Sequence, residues 1–233
     1  MILIDSVYQK VLALANKEQR GYITPQDFNL FADQAQMEIF EQYFYDINLA
    51  RKSQGNDTVY ADIDDMLEQK LQVFEASWNS GLPPLSMQDV YRIYDIYIGD
   101  PSVGTVACEI VNTKDFNAAY NKSRILAPTP SRPIAVIRND SVIVADGFNS
   151  LTTPSTIVYI RVPKKPNWTY VVVNKKAMYN ANNSTVNFEL HKSEEVQLVN
   201  KILKLAGISN KQNDIATTGQ NMEMTNMQLQ PKI

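Results

Sequence analysis

His191 and Cys108 are the only residues of their kinds among 233, and general-base or nucleophilic chemistry would have to begin with them. An imidazole acts as a base when a hydroxyl or thiol lies within hydrogen-bond reach and a third group orients the ring. His191 stands in His191-Lys-Ser193, directly before an expected helix start, where Ser193 serves as the N-cap; both residues are read as structural. Cys108 lies in Thr105-Val-Ala-Cys-Glu-Ile-Val111, an apolar, strand-like run with no base beside it, which is the setting of a buried thiol. One histidine cannot build a His cluster for zinc, and one cysteine cannot close an internal disulfide.

Other chemistry is weaker still. The acidic group Asp62-Ile-Asp-Asp65 lacks the glycine and the bidentate glutamate of a calcium loop, and it falls where the helix dipole favours acids. No G-x-G-x-x-G or G-x-x-x-x-G-K run is present to cradle a phosphate. Asp95 and Glu109 are the carboxylates a hydrolase would use, at a separation the sequence does not give. Lys164-Lys165 with Trp168 has the composition of a basic-aromatic nucleic-acid patch, although two lysines between prolines read first as a solvated hairpin tip. Asn56-Asp-Thr58 and Asn167-Trp-Thr169 are sequons expected by chance in a chain this rich in Asn, Ser and Thr. Catalytic, cofactor-binding and metal residues are therefore all expected to be absent, and the chain is expected not to be an enzyme.

The elements that would position any site are readable in outline. Ile4, Val7, Tyr8, Val11, Leu12 and Ala15 give an amphipathic helix. Thr24-Pro25-Gln-Asp27 starts a second, which keeps Phe28, Phe31, Ala32, Ala35, Ile39, Tyr43 and Ile47 on one face for more than six turns. Arg51 to Asp57, with Ser53-Gln-Gly-Asn-Asp57, reads as an exposed turn or loop. A third helix is expected to carry Ile63, Met66, Leu67, Leu71, Phe74 and Trp78 on one face, ending before Gly81-Leu-Pro-Pro84.

Beyond that break the period shortens towards two. Val90 to Ile98 reads as a strand buried on much of both faces, with Tyr91, Ile93 and Tyr97 on one side; Val106 to Val111 is a second strand, and Thr113 to Tyr120 a short capped helix. Ile134–Ile137 and Val142–Ala145 flank Asn139-Asp140 as a hairpin, and Thr156–Val162 is expected to pair with Trp168–Val173 across Pro163 to Asn167. Phe188–Leu190 closes the sheet. A last helix opens at Ser193, carries Val196, Val199, Ile202, Leu203 and Ala206 on one face, and stops at Gly207. The expected fold is α+β: a helical bundle over 1–82, an antiparallel β meander or sandwich over 83–190, a C-terminal helix over 191–207 packed on the bundle, and an extended polar tail over 208–233. Fully extended, that tail would reach roughly 85 Å, against a radius of gyration near ~17 Å for a compact chain of this size.

Composition narrows the class. Twenty-two Lys and Arg against 25 Asp and Glu leave a net charge of -3, without the basic excess that phosphate binding needs. No apolar run approaches the ~18 residues that span a bilayer, so a soluble, cytoplasmically made protein with no membrane partner is expected. Asn and Gln make up 36 of 233 residues, an excess read as uncharged surface for contact with other subunits.

The order of elements resembles that of tailed-bacteriophage head-to-tail connector proteins, and the short stretches Arg20-Gly-Tyr-Ile-Thr-Pro-Gln-Asp-Phe-Asn29 and Ala32-Asp-Gln-Ala-Gln36 resemble a ring protein of crAss-like podoviruses. Leu82-Pro-Pro-Leu85, Arg161-Val-Pro-Lys-Lys-Pro-Asn-Trp168 and Phe188-Glu-Leu-His-Lys-Ser-Glu-Glu-Val196 carry the same pattern along the rest of the chain. The resemblance implies a non-enzymatic virion protein that forms a homo-oligomeric, dodecameric ring. It implies binding to the portal protein above and an adjacent tail ring protein below, around a channel through which genomic DNA passes. A more distal tail ring or minor tail subunit of the same particle is the alternative. Met222, Met224, Met227 and Leu229 are the expected apolar anchors by which the tail meets a partner.

Overall fold

The computed structural model describes residues 1–17, 23–52, 66–83, 85–100, 104–122, 125–138, 141–147, 150–182, 184–209 and 224. The chain is α+β and divides into two compact units. One comprises 1–73 and 163–233; the other is the intervening 74–162. Residues 163–190, expected with the β region, thus group with the helices.

The first unit is built on α1 (Ile4–Lys17), α2 (Pro25–Lys52), a helical stretch α3 (residues 66–71) and α5 (Glu195–Ser209). Thr24 starts α2 as its side chain demands: Oγ1 accepts the Asp27 N–H at 3.1 Å and donates to the Asp27 carboxylate at 2.6 Å. At ~1.5 Å per residue the 28-residue helix is about 42 Å long. Its inner face buries Phe28, Ala32, Ala35, Ile39, Phe40, Tyr43 and Ile47, while α1 buries Ile4, Val7, Tyr8, Val11 and Ala15. Helix α5 packs on both, through Leu198, Val199, Ile202, Leu203 and Ala206. Val196, expected on that face, is exposed, and the helix runs through Gly207 to Ser209.

His191, and not Ser193, caps the entry to α5. Its ring nitrogen accepts the Ser193 N–H at the start of a 3₁₀ turn, Lys192–Glu194, which leads into the helix. Phe188 closes no sheet; it forms an isolated antiparallel bridge with Ile2.

The second unit holds two four-stranded sheets. In the first, β1 (Glu75–Asn79), β8 (Thr156–Arg161), β2 (Val90–Asp100) and β3 (Gly104–Ala107) lie side by side in that order, all antiparallel. In the second the order is β4 (Glu109–Ile110), β5 (Ile134–Arg138), β6 (Ser141–Gly147) and β7 (Ser150–Thr152), with β4 and β5 parallel. Ile96, Ile98 and Ile157 from the first sheet meet Ala135 and Val144 from the second in one core. A short helix α4 (Thr113–Asn117), capped by Asn112, puts Phe116 against Val136 and Ala145. The 134–145 hairpin forms as expected, its turn at 139–140 lying outside the described residues.

Three expectations are corrected. Trp78 is on strand β1, not on the third helix: from Glu75 to Asn79 exposed and half-buried residues alternate, and the Phe74–Trp78 spacing of four suits a period of two as well as a helix. Val106–Val111 is not one strand, because the chain leaves the first sheet at Cys108 and enters the second at Glu109. Strand β8 pairs with β1 and β2, and residues 168–173 do not join it. Bulges in β2 also break its alternation, so only Ile96 and Ile98 are buried and Tyr91 and Tyr94 remain partly exposed. Among the described residues no helix is long and apolar enough to cross a membrane.

Candidate protein interface

A two-stranded hairpin in the first unit belongs to neither four-stranded sheet. It consists of β9 (Tyr170–Val173) and β10 (Lys176–Tyr179), paired antiparallel with Val173 opposite Lys176 and Tyr170 opposite Tyr179. Its approach segment is stitched to α2 by buried amides. Gln36, wholly buried, donates to the Lys164 carbonyl at 2.9 Å and accepts the Glu189 N–H at 3.1 Å. The Glu189 carboxylate in turn accepts the Lys164 N–H at 2.9 Å. Asn29 clamps the next turn, accepting the Trp168 N–H at 2.8 Å and donating to the Asn167 side chain at 3.0 Å.

Trp168 then enters the core with 1% of its surface exposed. Its Nε1–H donates to Asp5 at 3.0 Å and its ring lies 4.1 Å from that of Tyr8. Tyr170 and Tyr179 stack on the same indole at 5.7 and 5.9 Å, which fixes the base of the hairpin. Lys164 and Lys165 are therefore no hairpin tip, and Trp168 is no partner to them in a nucleic-acid patch, since its ring is consumed inside the unit.

Beyond this base the hairpin carries apolar side chains on both faces. Alternation puts Tyr170, Val172, Ala177 and Tyr179 on one face and Val171, Val173, Lys176 and Met178 on the other. Val172 is 68% and Met178 55% exposed, and Val171 and Val173 are nearly half exposed. Asn174 and Lys175 make the turn at φ 49° and 62°, the two left-handed residues of a type I′ connection. Lys164, Lys165, Lys175 and Lys176 are the charged residues of segment 163–188, which contains no acid. A lone two-stranded ribbon is marginal in water, and one with exposed apolar side chains on both faces is a surface suited to covering by another chain.

No protein-family model matches this sequence, and no curated protein matches it.

A second cluster in the same unit is ionic. Lys70 Nζ lies 2.6 Å from Glu194 Oε1 and 5.5 Å from the centre of the Tyr43 ring. Burial pushes the Tyr43 phenol upward, helped by the charges of Glu194 and Asp46, and among the described residues its hydroxyl has no hydrogen-bond partner. Burial also raises Asp46. Ser193 Oγ is 3.4 Å from Glu194 and 2.8 Å from His191 Nδ1, so the one histidine does touch a serine. The same nitrogen faces the Ser193 N–H at 3.3 Å, which is a capping geometry formed within three residues of chain.

The remaining sequence candidates are scattered. Cys108 is buried, and burial pushes its thiol up to about 11, which keeps it protonated at neutral pH. Its N–H donates to the Ile96 carbonyl at 2.8 Å, and Asp95 and Glu109, the chain neighbours of these two residues on β2 and β4, are both exposed. Glu109 lines a cavity of about 510 Å³ with Asp115 and Arg132; Asp95 is not among its lining residues. Met224 is exposed, whereas Met222, Met227, Leu229 and the acids Asp62 to Asp65 lie outside the described residues. Among the described residues no three His, Cys, Asp or Glu side chains converge as metal ligands.

Sequence reasoning missed the β9–β10 hairpin. Its signal was Val171-Val-Val-Asn-Lys-Lys-Ala-Met-Tyr179, two short apolar runs around an asparagine, without the Asn-Gly pair that usually marks a type I′ turn.

Proposed function

We propose that this chain is a non-enzymatic subunit of an oligomeric ring that joins a bacteriophage portal to its tail around the DNA channel. The observation that carries the reading is the β9–β10 hairpin, whose valines, methionine and lysines are exposed. A protein that works by assembly needs such a surface, and the rigid base on Trp168 lowers the entropy lost when a partner covers it. The resemblance of Thr24-Pro-Gln-Asp-Phe-Asn29 and its flanks to connector ring proteins gives the assembly its place in the particle.

In this reading helix α5 holds the start of the C-terminal segment, and Met222, Met224, Met227 and Leu229 meet the portal. Truncation belongs after Ser209, the last residue of α5, so that the buried Leu203 and Ala206 stay in place.

Imaging of the purified chain mixed with its portal tests the reading. Rings on the portal are expected, and a chain lacking 210–233 is expected to fold and to bind the portal more weakly. Monomers that ignore the portal would overturn it. Rings that form but do not bind the isolated portal would move the subunit to a more distal position in the tail.

A further inference from the structure

The first unit also carries a surface complementary to its own hairpin. Helix α2 holds five acids, Asp27, Asp33, Glu38, Glu41 and Asp46, against Arg51 and Lys52 at its end. On its outer side Glu41, Tyr45 and Leu49 follow one another at intervals of four residues, so they stand in a line. Tyr45 is 67% exposed and Leu49 is 42% exposed. That line is about 12 Å long at ~1.5 Å per residue, and a four-residue strand spans roughly 10–13 Å. One surface is acidic, apolar and aromatic; the other is lysine-bearing, apolar and of matching length.

We infer that the β9–β10 hairpin of one copy docks on the Glu41–Tyr45–Leu49 line of α2 in a neighbouring copy. Val171, Val173 and Met178 cover Tyr45 and Leu49, and Lys175 and Lys176 face Glu41. Charge selects this occupant: Lys175 and Lys176 at the hairpin tip have no acid beside them in 163–188, and Glu41 is an exposed acid of α2, whereas Lys165 already faces Asp33 within its own chain at 3.9 Å. The contact is not made within one chain in this fold. The hairpin root is held at Asn29, roughly 24 Å along α2 from Tyr45, and both surfaces are exposed. Because the two patches differ, the contact is head-to-tail, and repeated head-to-tail contacts close into rings when the rotation allows or run on as filaments when it does not. This inference rests on the assembly reading above and names the lateral partner within it.

Charge reversal in the full-length chain tests it, with self-association measured by sedimentation in the absence of portal. The double variant Lys175→Glu/Lys176→Glu and the single variant Glu41→Lys should each weaken self-association about tenfold or more, and a mixture of the two should recover much of the loss. All three positions are exposed, so circular dichroism should be unchanged. A residue pair crosslinked by a short bifunctional thiol reagent, Val173→Cys in one copy and Tyr45→Cys in the other, should give dimers in the mixture. Wild-type self-association that is unaffected by either reversal, or no crosslink in the mixture, would overturn the inference while leaving rings on the portal untouched. A wild-type chain that stays monomeric alone yet forms rings on the portal would overturn it too, and would make the portal the occupant of the hairpin.

Discussion

Trp168 donates its indole N–H to the Asp5 carboxylate at 3.0 Å, tying the root of the β9–β10 hairpin to the first turn of α1 across 163 residues of chain. The same ring carries Tyr8 on the core side and Tyr170 and Tyr179 on the hairpin side. Core stability and hairpin placement therefore depend on one side chain. Trp168→Phe keeps an aromatic ring but removes the donor, and should cost about 1–3 kcal/mol. Trp168→Ala should cost about 3–5 kcal/mol. Urea unfolding measures both, and self-association should fall in the same order as the hairpin loses its base.

Gly99 adopts φ +108° at the end of β2, and a Cβ there would sit 2.6 Å from the Gly104 carbonyl oxygen. That oxygen is backbone and cannot swing aside. Gly99→Ala is expected to part β2 from β3 and to cost about 2–4 kcal/mol, combining the left-handed strain with the lost pairing. A lowered melting temperature with faster amide exchange over Gly104–Ala107 is the expected result; unchanged exchange there would refute it.

Lys175 holds the second left-handed position of the hairpin turn, where glycine is favoured. Lys175→Gly should stabilise the monomer by about 1 kcal/mol by removing the Cβ clash. It also removes one of the two tip charges, so association should weaken as the fold gains stability. Calorimetry and sedimentation on one sample would show the two effects moving in opposite directions.

Two carboxylates give stability opposite pH dependences. Burial raises Asp46, so the folded chain holds that proton more tightly than the unfolded chain. Its contribution to stability grows as pH falls through the raised folded pKa and levels off below the unfolded one. Asp46→Asn should accordingly stabilise the protein at neutral pH, with the gain shrinking in acid. Glu195 is held low, first by its hydrogen bond from Lys10, at 2.6 Å. Its contribution is present above the ordinary carboxylate range and is lost as pH falls through the depressed folded value. Lys10→Met should lower the melting temperature slightly at neutral pH and leave it unchanged in acid. Melting curves of both variants across that range check the signs.

The helical elements were largely legible because their signals are local. Thr24 caps α2 with atoms three residues away, and the inner faces of α1 and α2 follow a period that the residues themselves display. The 134–145 hairpin was legible for the same reason. Trp78 was misread because an apolar spacing of four satisfies helix and strand alike, and only its partner, β8, decides between them. Thr156 to Arg161 was recognised as a strand, yet its neighbours β1 and β2 lie far away in sequence, on no pattern that the strand carries itself.

Composition determined that this chain has one thiol, one imidazole, no phosphate-cradling glycine motif and a large stock of Asn and Gln. It did not determine where that stock is used. The excess suggested polar surface for other subunits, but Gln36 is wholly buried, and Gln36, Asn29 and Asn167 are bonded inside the first unit, where they bring 163–168 and 186–190 back onto α2. A primary amide both donates and accepts, so it can satisfy two backbone groups from distant segments at once. Whether it does so depends on which segments the fold brings within 3 Å. The same closure buries Trp168 and leaves Val172 and Met178 outside, which is why the sequence supplied the apolar residues of the hairpin and only the tertiary structure made them a surface.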